Sequence, residues 1–110
     1  MKPYQISLPN GKLGHVINKR IGIRRPVKIL WFKYKNKERI IAYTIIVESA
    51  DERHEFMVYK TKRKGEWLDG ARKNGESVKV ENERKLSGAI KKAIDLFERK
   101  KGQLAYQELF

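Results

Sequence analysis

The chain has 110 residues, of which 26 are Lys or Arg and 13 are Asp or Glu, so its formal net charge is +13. Small soluble domains generally carry a net charge of about 2 to 8 in magnitude, and the excess therefore indicates a polyanionic partner. With 40% apolar and 10% aromatic residues the chain is too hydrophobic to be a disordered basic tail.

The sequence contains no cysteine, which excludes disulfides and thiolate sites and fits a reducing compartment. No segment approaches the roughly 20 apolar residues that a spanning helix needs, and no signal peptide is evident. We therefore expect a single cytoplasmic domain over residues 1–110 with no membrane association.

The first elements are a short strand and its return. Tyr4, Ile6 and Leu8 alternate with polar residues and lead into Pro9-Asn10-Gly11, a pattern typical of a strand that ends in a tight turn. Residues 13–17 are the expected return strand. The stretch from Asn18 to Pro26 is expected to be a basic loop or an irregular strand.

Three longer strands are predicted next, as an antiparallel meander. Val27 to Lys35 and Arg39 to Glu48 are rich in β-branched and aromatic residues, and the second is apolar on both faces, which favours a central position. His54 to Thr61 alternates in the same way, with Phe56 and Val58 on one side. A basic turn at Lys62 to Gly65 follows.

The remaining part of the β region has a weaker signal. Trp67 and Leu68 predict a short strand closed by Asp69-Gly70, and residues 70–77 have little apolar content, which indicates a mobile loop. The region of about residues 1–82 is thus expected to be mainly β.

One helix is predicted over residues 83–101, with Asn82 as its N-cap and Gly102 as the residue that ends it. Its apolar positions recur at helical spacing and should face the sheet: Leu86, Ile90, Ala93, Ile94 and Phe97. The opposite surface should carry Lys91, Asp95 and Glu98 among other charged residues. Residues 103–110 contain Leu104, Tyr106, Leu109 and Phe110, and we expect this tail to dock on its own domain or on a second subunit.

Together these elements predict an α+β fold: a single domain with a curved antiparallel sheet of four to six strands and one C-terminal helix packed on one face. Strands followed by one helix are also the element order of several small domains that bind single strands, a likeness of fold class alone.

The positive charge is concentrated in the first half of the chain, where residues 1–50 hold 11 basic and two acidic side chains. Aromatic residues interleave with it: Trp31 lies on the same strand face as Lys33 and Lys35, and Tyr43, Tyr59 and Trp67 lie on later strands. Basic side chains neutralise phosphates while rings stack on bases. The candidate nucleic-acid contacts are Arg24, Arg25, Trp31, Lys33, Lys35, Lys62, Arg63 and Lys64.

Trp31, Phe32, Tyr43 and Phe56 also fit core positions, and charge runs also occur in ordinary solvated turns. The sequence has no catalytic, metal or cofactor motif: His15 and His54 lie far apart, the glycines match no phosphate-binding loop, and Glu48, Asp51, Glu52 and Glu55 fit a solvated strand turn. We therefore expect no cofactor, no metal and no small-molecule ligand.

The sequence thus predicts a non-enzymatic domain that binds single-stranded or structured DNA or RNA with low sequence specificity, through a basic sheet face that bears aromatic residues. One alternative is a protein-interaction module that binds an acidic partner or forms a homodimer through the C-terminal tail. Another is a small metal-independent ribonuclease, whose Arg, Lys, Tyr and His residues follow no fixed spacing. A binder of anionic membranes is the third, and no amphipathic helix with a bulky aromatic face supports it.

Overall fold

The computed structural model describes residues 2–24 and 38–108, and within these ranges the side chains of residues 2–23 and 39–99. The strands are β1 (Tyr4–Ser7), β2 (Leu13–Arg24), β3 (Glu38–Glu48), β4 (Arg53–Thr61), β5 (Trp67–Lys73) and β6 (Glu76–Ser77). They form one antiparallel sheet in chain order, and α1 (Glu81–Glu108) packs on one face. The predicted α+β architecture is confirmed.

The first turn forms as predicted, but the return strand is much longer than residues 13–17. Asn10 and Gly11 both adopt positive φ, and the Leu8 amide donates to the Lys12 carbonyl at 3.0 Å. Of the two structures expected from Asn18 onward, a basic loop or an irregular strand, the strand forms up to Arg24, and the register to β3 shifts between Val16 and Asn18. β1 pairs only with Leu13 to Val16. The outer side of β2 beyond Val16 has no strand partner among the described residues.

β3 is the central strand, as its two apolar faces predicted, but its neighbours differ from the predicted meander. β2 pairs along the whole of β3, from Leu13 opposite Glu48 to Arg24 opposite Glu38, and β4 occupies the other side. The predicted strand from Val27 to Lys35 lies outside the described residues.

The expected loop over residues 70–77 is wrong, because a hairpin forms there. β5 runs on to Lys73, Asn74 and Gly75 both take positive φ, and β6 pairs back with Arg72 opposite Ser77. A two-residue Asn-Gly loop is the favoured connection of a tight hairpin, since both residues tolerate positive φ.

The helix buries its predicted apolar stripe against the sheet. Ile90 and Ile94 are fully buried, and the Phe97 ring stacks on Tyr4 with centroids 3.9 Å apart. The hydrophobic core is formed by one face of the sheet and this stripe: Ile6, Leu8, Val16, Tyr43, Ile45, Val47, Phe56, Val58, Ala71, Ile90 and Ile94.

The helix boundaries differ from the prediction at both ends. α1 begins at Glu81, which places Asn82 inside the first turn, and it continues through Gly102 to Glu108. The segment predicted as a separate tail is therefore helical up to Glu108. Docking of its side chains lies outside the described residues.

Candidate nucleic-acid interface

One end of the sheet gathers basic residues that are far apart in the sequence. Arg24 ends β2, opposite the beginning of β3 at Glu38, and Ile40 of β3 pairs with Thr61 at the end of β4. The turn after β4 touches β3, because the Lys62 amide donates to the Arg39 carbonyl at 3.0 Å. We call the group formed by Arg24, Arg39, Lys62, Arg63 and Lys64 the basic end.

The turn that carries three of these residues is well defined by its own hydrogen bonds. The Gly65 amide donates to the Thr61 carbonyl at 3.0 Å, and the Thr61 amide donates to the Glu66 carbonyl at 2.9 Å. The Thr61 hydroxyl also accepts from the Glu66 amide at 3.2 Å. Gly65 adopts φ +67°, a conformation that favours glycine. Lys62, Arg63 and Lys64 are all exposed at the tip.

Four predicted contacts, Arg25, Trp31, Lys33 and Lys35, lie outside the described residues. They belong to residues 25–37, which connect β2 to β3 in the sequence. That connection of 13 residues contains five basic and no acidic side chains. The residues that flank it, Arg24 and Glu38, pair with each other at the end of the sheet that carries the turn Lys62 to Lys64. Arg39 was not among the predicted contacts. It could have been found from its place in the basic run from Lys19 to Arg39.

At the opposite end of the sheet, two acidic residues, Glu48 and Glu52, are paired with arginine or histidine side chains. Glu48 lies 3.3 Å from His15 and 3.6 Å from Arg53, and Glu52 lies 3.1 Å from His54. Within residues 2–24 and 38–108, no group of three acidic or histidine side chains could hold a metal ion.

A network of polar side chains lies between the helix and the sheet face that it covers, beside the hydrophobic core. Glu98 accepts hydrogen bonds from Tyr43 Oη at 3.0 Å and from Lys19 Nζ at 2.9 Å, and Lys60 Nζ lies 3.4 Å from it. Asp95 accepts from Trp67 Nε1 at 2.7 Å. Asp95 and Glu98 therefore contact the sheet rather than lying on the opposite surface as expected. Lys91 does so too, donating to the Leu68 carbonyl at 2.9 Å.

The network shifts the protonation equilibria of its members. Burial acts to raise the pKa of Glu98, but the hydrogen bonds from Lys19 and Tyr43 and the charges of Lys19 and Lys60 outweigh it, so the pKa is lowered. Burial, followed by the hydrogen bond to Glu98, raises the pKa of Tyr43. Glu98 is thus held as a carboxylate and Tyr43 as a phenol.

Two aromatic residues that were considered for base stacking, Tyr43 and Trp67, take part in this network. Tyr43 is fully buried, so it is a core residue and cannot stack on a base. Trp67 is partly buried, packs 5.5 Å from the Tyr43 ring and has its indole nitrogen on Asp95. A core position for Tyr43 was one alternative that the sequence offered, but the polar network was not predicted, because Lys19, Lys60 and Glu98 meet only when the helix crosses the sheet.

The other face of the sheet, which we call the open face, carries different residues. Its central strands contribute Ile40, Ala42, Thr44, Ile46, Met57 and Tyr59. Arg20 lies opposite Ala42 on β2, and Arg72 lies opposite Met57 on β5, so an apolar strip has an arginine on each side. Tyr59 is the aromatic residue of this strip, and its ring is half-buried.

Among the residues that the structure describes, no helix combines the length and apolar content required to cross a bilayer. Comparisons with protein-family models, with curated proteins and with solved structures find no match to this chain.

Proposed function

We propose that this protein is a non-enzymatic nucleic-acid-binding domain that takes single-stranded or structured DNA or RNA with low sequence specificity. The observation that carries the proposal is the basic end, where strand register brings Arg24 and Arg39 beside the exposed turn Lys62 to Lys64. Clustered cations release the counterions condensed on a phosphate backbone, which favours binding of any sequence.

The cations of the turn Lys62 to Lys64 differ in their surroundings from three lysines of the strands. Lys19, Lys60 and Lys73 are held by carboxylates of the helix at 2.9 to 3.4 Å. Lys62, Arg63 and Lys64 are exposed at the tip of a turn, and the segment that connects β2 to β3 in the sequence contains five further basic residues. Exposed, clustered charge is what a flexible polyanion requires of its receptor.

The test is fluorescence anisotropy of a labelled single-stranded oligonucleotide, with duplex DNA and RNA in parallel, over a range of salt concentrations. If about four to six phosphates are neutralised, the logarithm of the association constant should fall against the logarithm of salt with a slope of about −3 to −5. A salt-independent affinity, or no binding at low salt, would contradict the proposal.

A matched pair of triple variants locates the contact. Replacement of Lys62, Arg63 and Lys64 by Gln should make the slope shallower by about 2, because about 0.7 to 0.9 counterions are released per phosphate contact. The control replaces Lys79, Arg84 and Lys92 by Gln, which are exposed and lie outside the basic end. It removes the same charge and should leave the slope nearly unchanged. Cleavage of the oligonucleotide during the titration would instead indicate a ribonuclease.

A further inference from the structure

The open face contains a cleft where β5 separates from β4. Val58 pairs with Ala71 and Lys60 pairs with Trp67, so a single residue of β4, Tyr59, lies opposite the three residues from Leu68 to Gly70. The two extra residues make β5 bulge away from its neighbour. Bulges of this kind often lie beside functional sites, because they redirect side chains and interrupt pairing.

The bulge opens a cavity of about 640 Å³, within the range of ordinary small-ligand sites. Its residues include Ile40, Tyr59, Leu68, Asp69, Arg72 and Ser77. Tyr59, Ile40 and Leu68 supply an aromatic and aliphatic wall. Asp69, Ser77 and Arg72 supply acceptors and donors, and the Arg72 guanidinium is held by a 3.2 Å hydrogen bond to the Gly75 carbonyl.

This combination fits a nucleobase better than a simple anion. A base has flat apolar faces and a polar edge, which match a tyrosine ring beside a carboxylate, a hydroxyl and a guanidinium. A site for phosphate alone would not place the Asp69 carboxylate among its lining residues, because like charges repel.

The cleft also lies close to the basic end. Lys62 follows Tyr59 by three residues, which is about 10 Å along an extended chain. A strand whose phosphates contact Lys62 to Lys64 could therefore place a base from the same stretch in the cleft. An unpaired base reaches such a pocket directly, whereas a duplex must first extrude one.

We infer that this cleft is a base pocket, in which one unstacked base of a bound single strand packs against Tyr59 while its phosphates contact Lys62 to Lys64. The inference rests on the proposed nucleic-acid binding and adds to it a preference for unpaired bases. The phosphate contacts and the base contact are separable, so each can be removed without the other.

The first experiment compares Tyr59→Leu with Tyr59→Phe, using a single-stranded oligonucleotide and an abasic sugar-phosphate strand of equal length. Loss of base stacking should reduce the affinity of Tyr59→Leu for the normal strand by about 5- to 150-fold. Tyr59→Phe retains the ring and should bind like the original protein. Neither variant should change the affinity for the abasic strand. Urea unfolding of both variants is the control that shows whether they fold.

The second experiment needs no oligonucleotide and separates this inference from the proposed function. A nucleoside monophosphate and inorganic phosphate are titrated separately into the labelled protein, and backbone amide resonances are followed by NMR. The nucleotide should shift the amides of Tyr59 and of residues 68–72, whereas phosphate should shift only those near Lys62 to Lys64.

The two experiments together distinguish the base pocket from the phosphate interface. If the oligonucleotide binds but Tyr59→Leu has no effect and the nucleotide leaves residues 68–72 unchanged, the base pocket is overturned and the phosphate interface remains. If the nucleotide shifts the cleft while no strand binds at any salt, the pocket stands as a nucleotide site and the proposed function fails.

Discussion

Glu98 connects the helix to three strands, through Lys19 of β2, Tyr43 of β3 and Lys60 of β4. The Lys60 ammonium also lies 5.4 Å from the centre of the Tyr43 ring and 5.0 Å from that of Trp67, a geometry that favours cation–π attraction. Because the carboxylate has more than one cationic partner, the interaction does not depend on a single side-chain conformation.

Replacement of Glu98 by Gln should reduce the free energy of unfolding by about 1 to 3 kcal/mol at pH 7, since hydrogen bonds to a charged group are lost. The pKa of Glu98 is lowered in the folded state, so its stabilising contribution is present above the unfolded value of 4.5 and is lost as pH falls through the folded value. Urea unfolding between pH 7 and pH 3 should therefore show the two proteins converging below about pH 4.5.

Glu81→Gln is the matched control for this prediction. Glu81 lies in the first turn of the helix, is largely exposed and is paired only with Lys85 at 3.5 Å. Exposed pairs of this kind contribute about 0.3 to 0.5 kcal/mol. A constant difference between Glu98→Gln and the original protein across the pH range would contradict a role for the ionised carboxylate.

At the scale of the element, the helix shows that a local signal for a helix end does not always end the helix. Gly102 followed by a polar residue favours a helix end, but glycine in a helix interior costs only about 1 kcal/mol relative to alanine. The following sequence, Gln-Leu-Ala-Tyr-Gln-Glu, contains good helix formers, and the helix continues to Glu108.

Gly102→Ala distinguishes the two arrangements by the sign of its effect. In a helix interior the substitution should stabilise the protein by up to about 1 kcal/mol and raise helical circular dichroism. At a left-handed helix end it should destabilise by about 1 to 2 kcal/mol, because alanine disfavours positive φ. Gly88→Ala, inside the same helix with open space around it, is the stabilising reference.

Strands were predictable where both periodicity and burial were strong. β3 and β4 were recognised because apolar residues alternate along them, with Tyr43, Ile45 and Phe56 on the core face. The β5–β6 hairpin was missed although Asn74-Gly75 is a strong turn signal. Its strands carry Arg72, Lys73, Glu76 and Ser77, and this polar sequence at the border of the sheet shows no apolar alternation.

At the scale of the whole molecule, the candidate interface depended on strand register, which local sequence does not specify. Arg24 and Lys62 are 38 positions apart, and they share one end only because β2, β3 and β4 pair in order without a crossover. The sequence could predict which runs carry the positive charge, and the binding of a nucleic acid by that charge stays a prediction. The sequence left a core position and a base-stacking position open for Tyr43, and the structure places it in the core because the helix covers that face of the sheet.

The difference in length between β1 and β2 has a consequence for the behaviour of the protein in concentrated solution. Among the described residues, β2 extends beyond its outer partner β1 and is unpaired on that side, and Ile21 and Ile23 on this stretch are 57% and 61% exposed. An unpaired edge with apolar side chains is a template for strands of other molecules. The neighbouring Lys19 and Arg20 and the net charge of +13 oppose that encounter by repulsion.

This protection is electrostatic, so salt or a bound polyanion should weaken it. We expect analytical ultracentrifugation to show monomer at low ionic strength and larger species as salt or oligonucleotide neutralises the charge. Ile21→Lys should suppress those species, and Lys92→Gln, away from the edge, should not. Equal sedimentation under all conditions would contradict the expectation. If larger species do form, the same positive charges have two effects. They recruit a nucleic acid and, once it has neutralised them, they allow protein molecules to assemble along it.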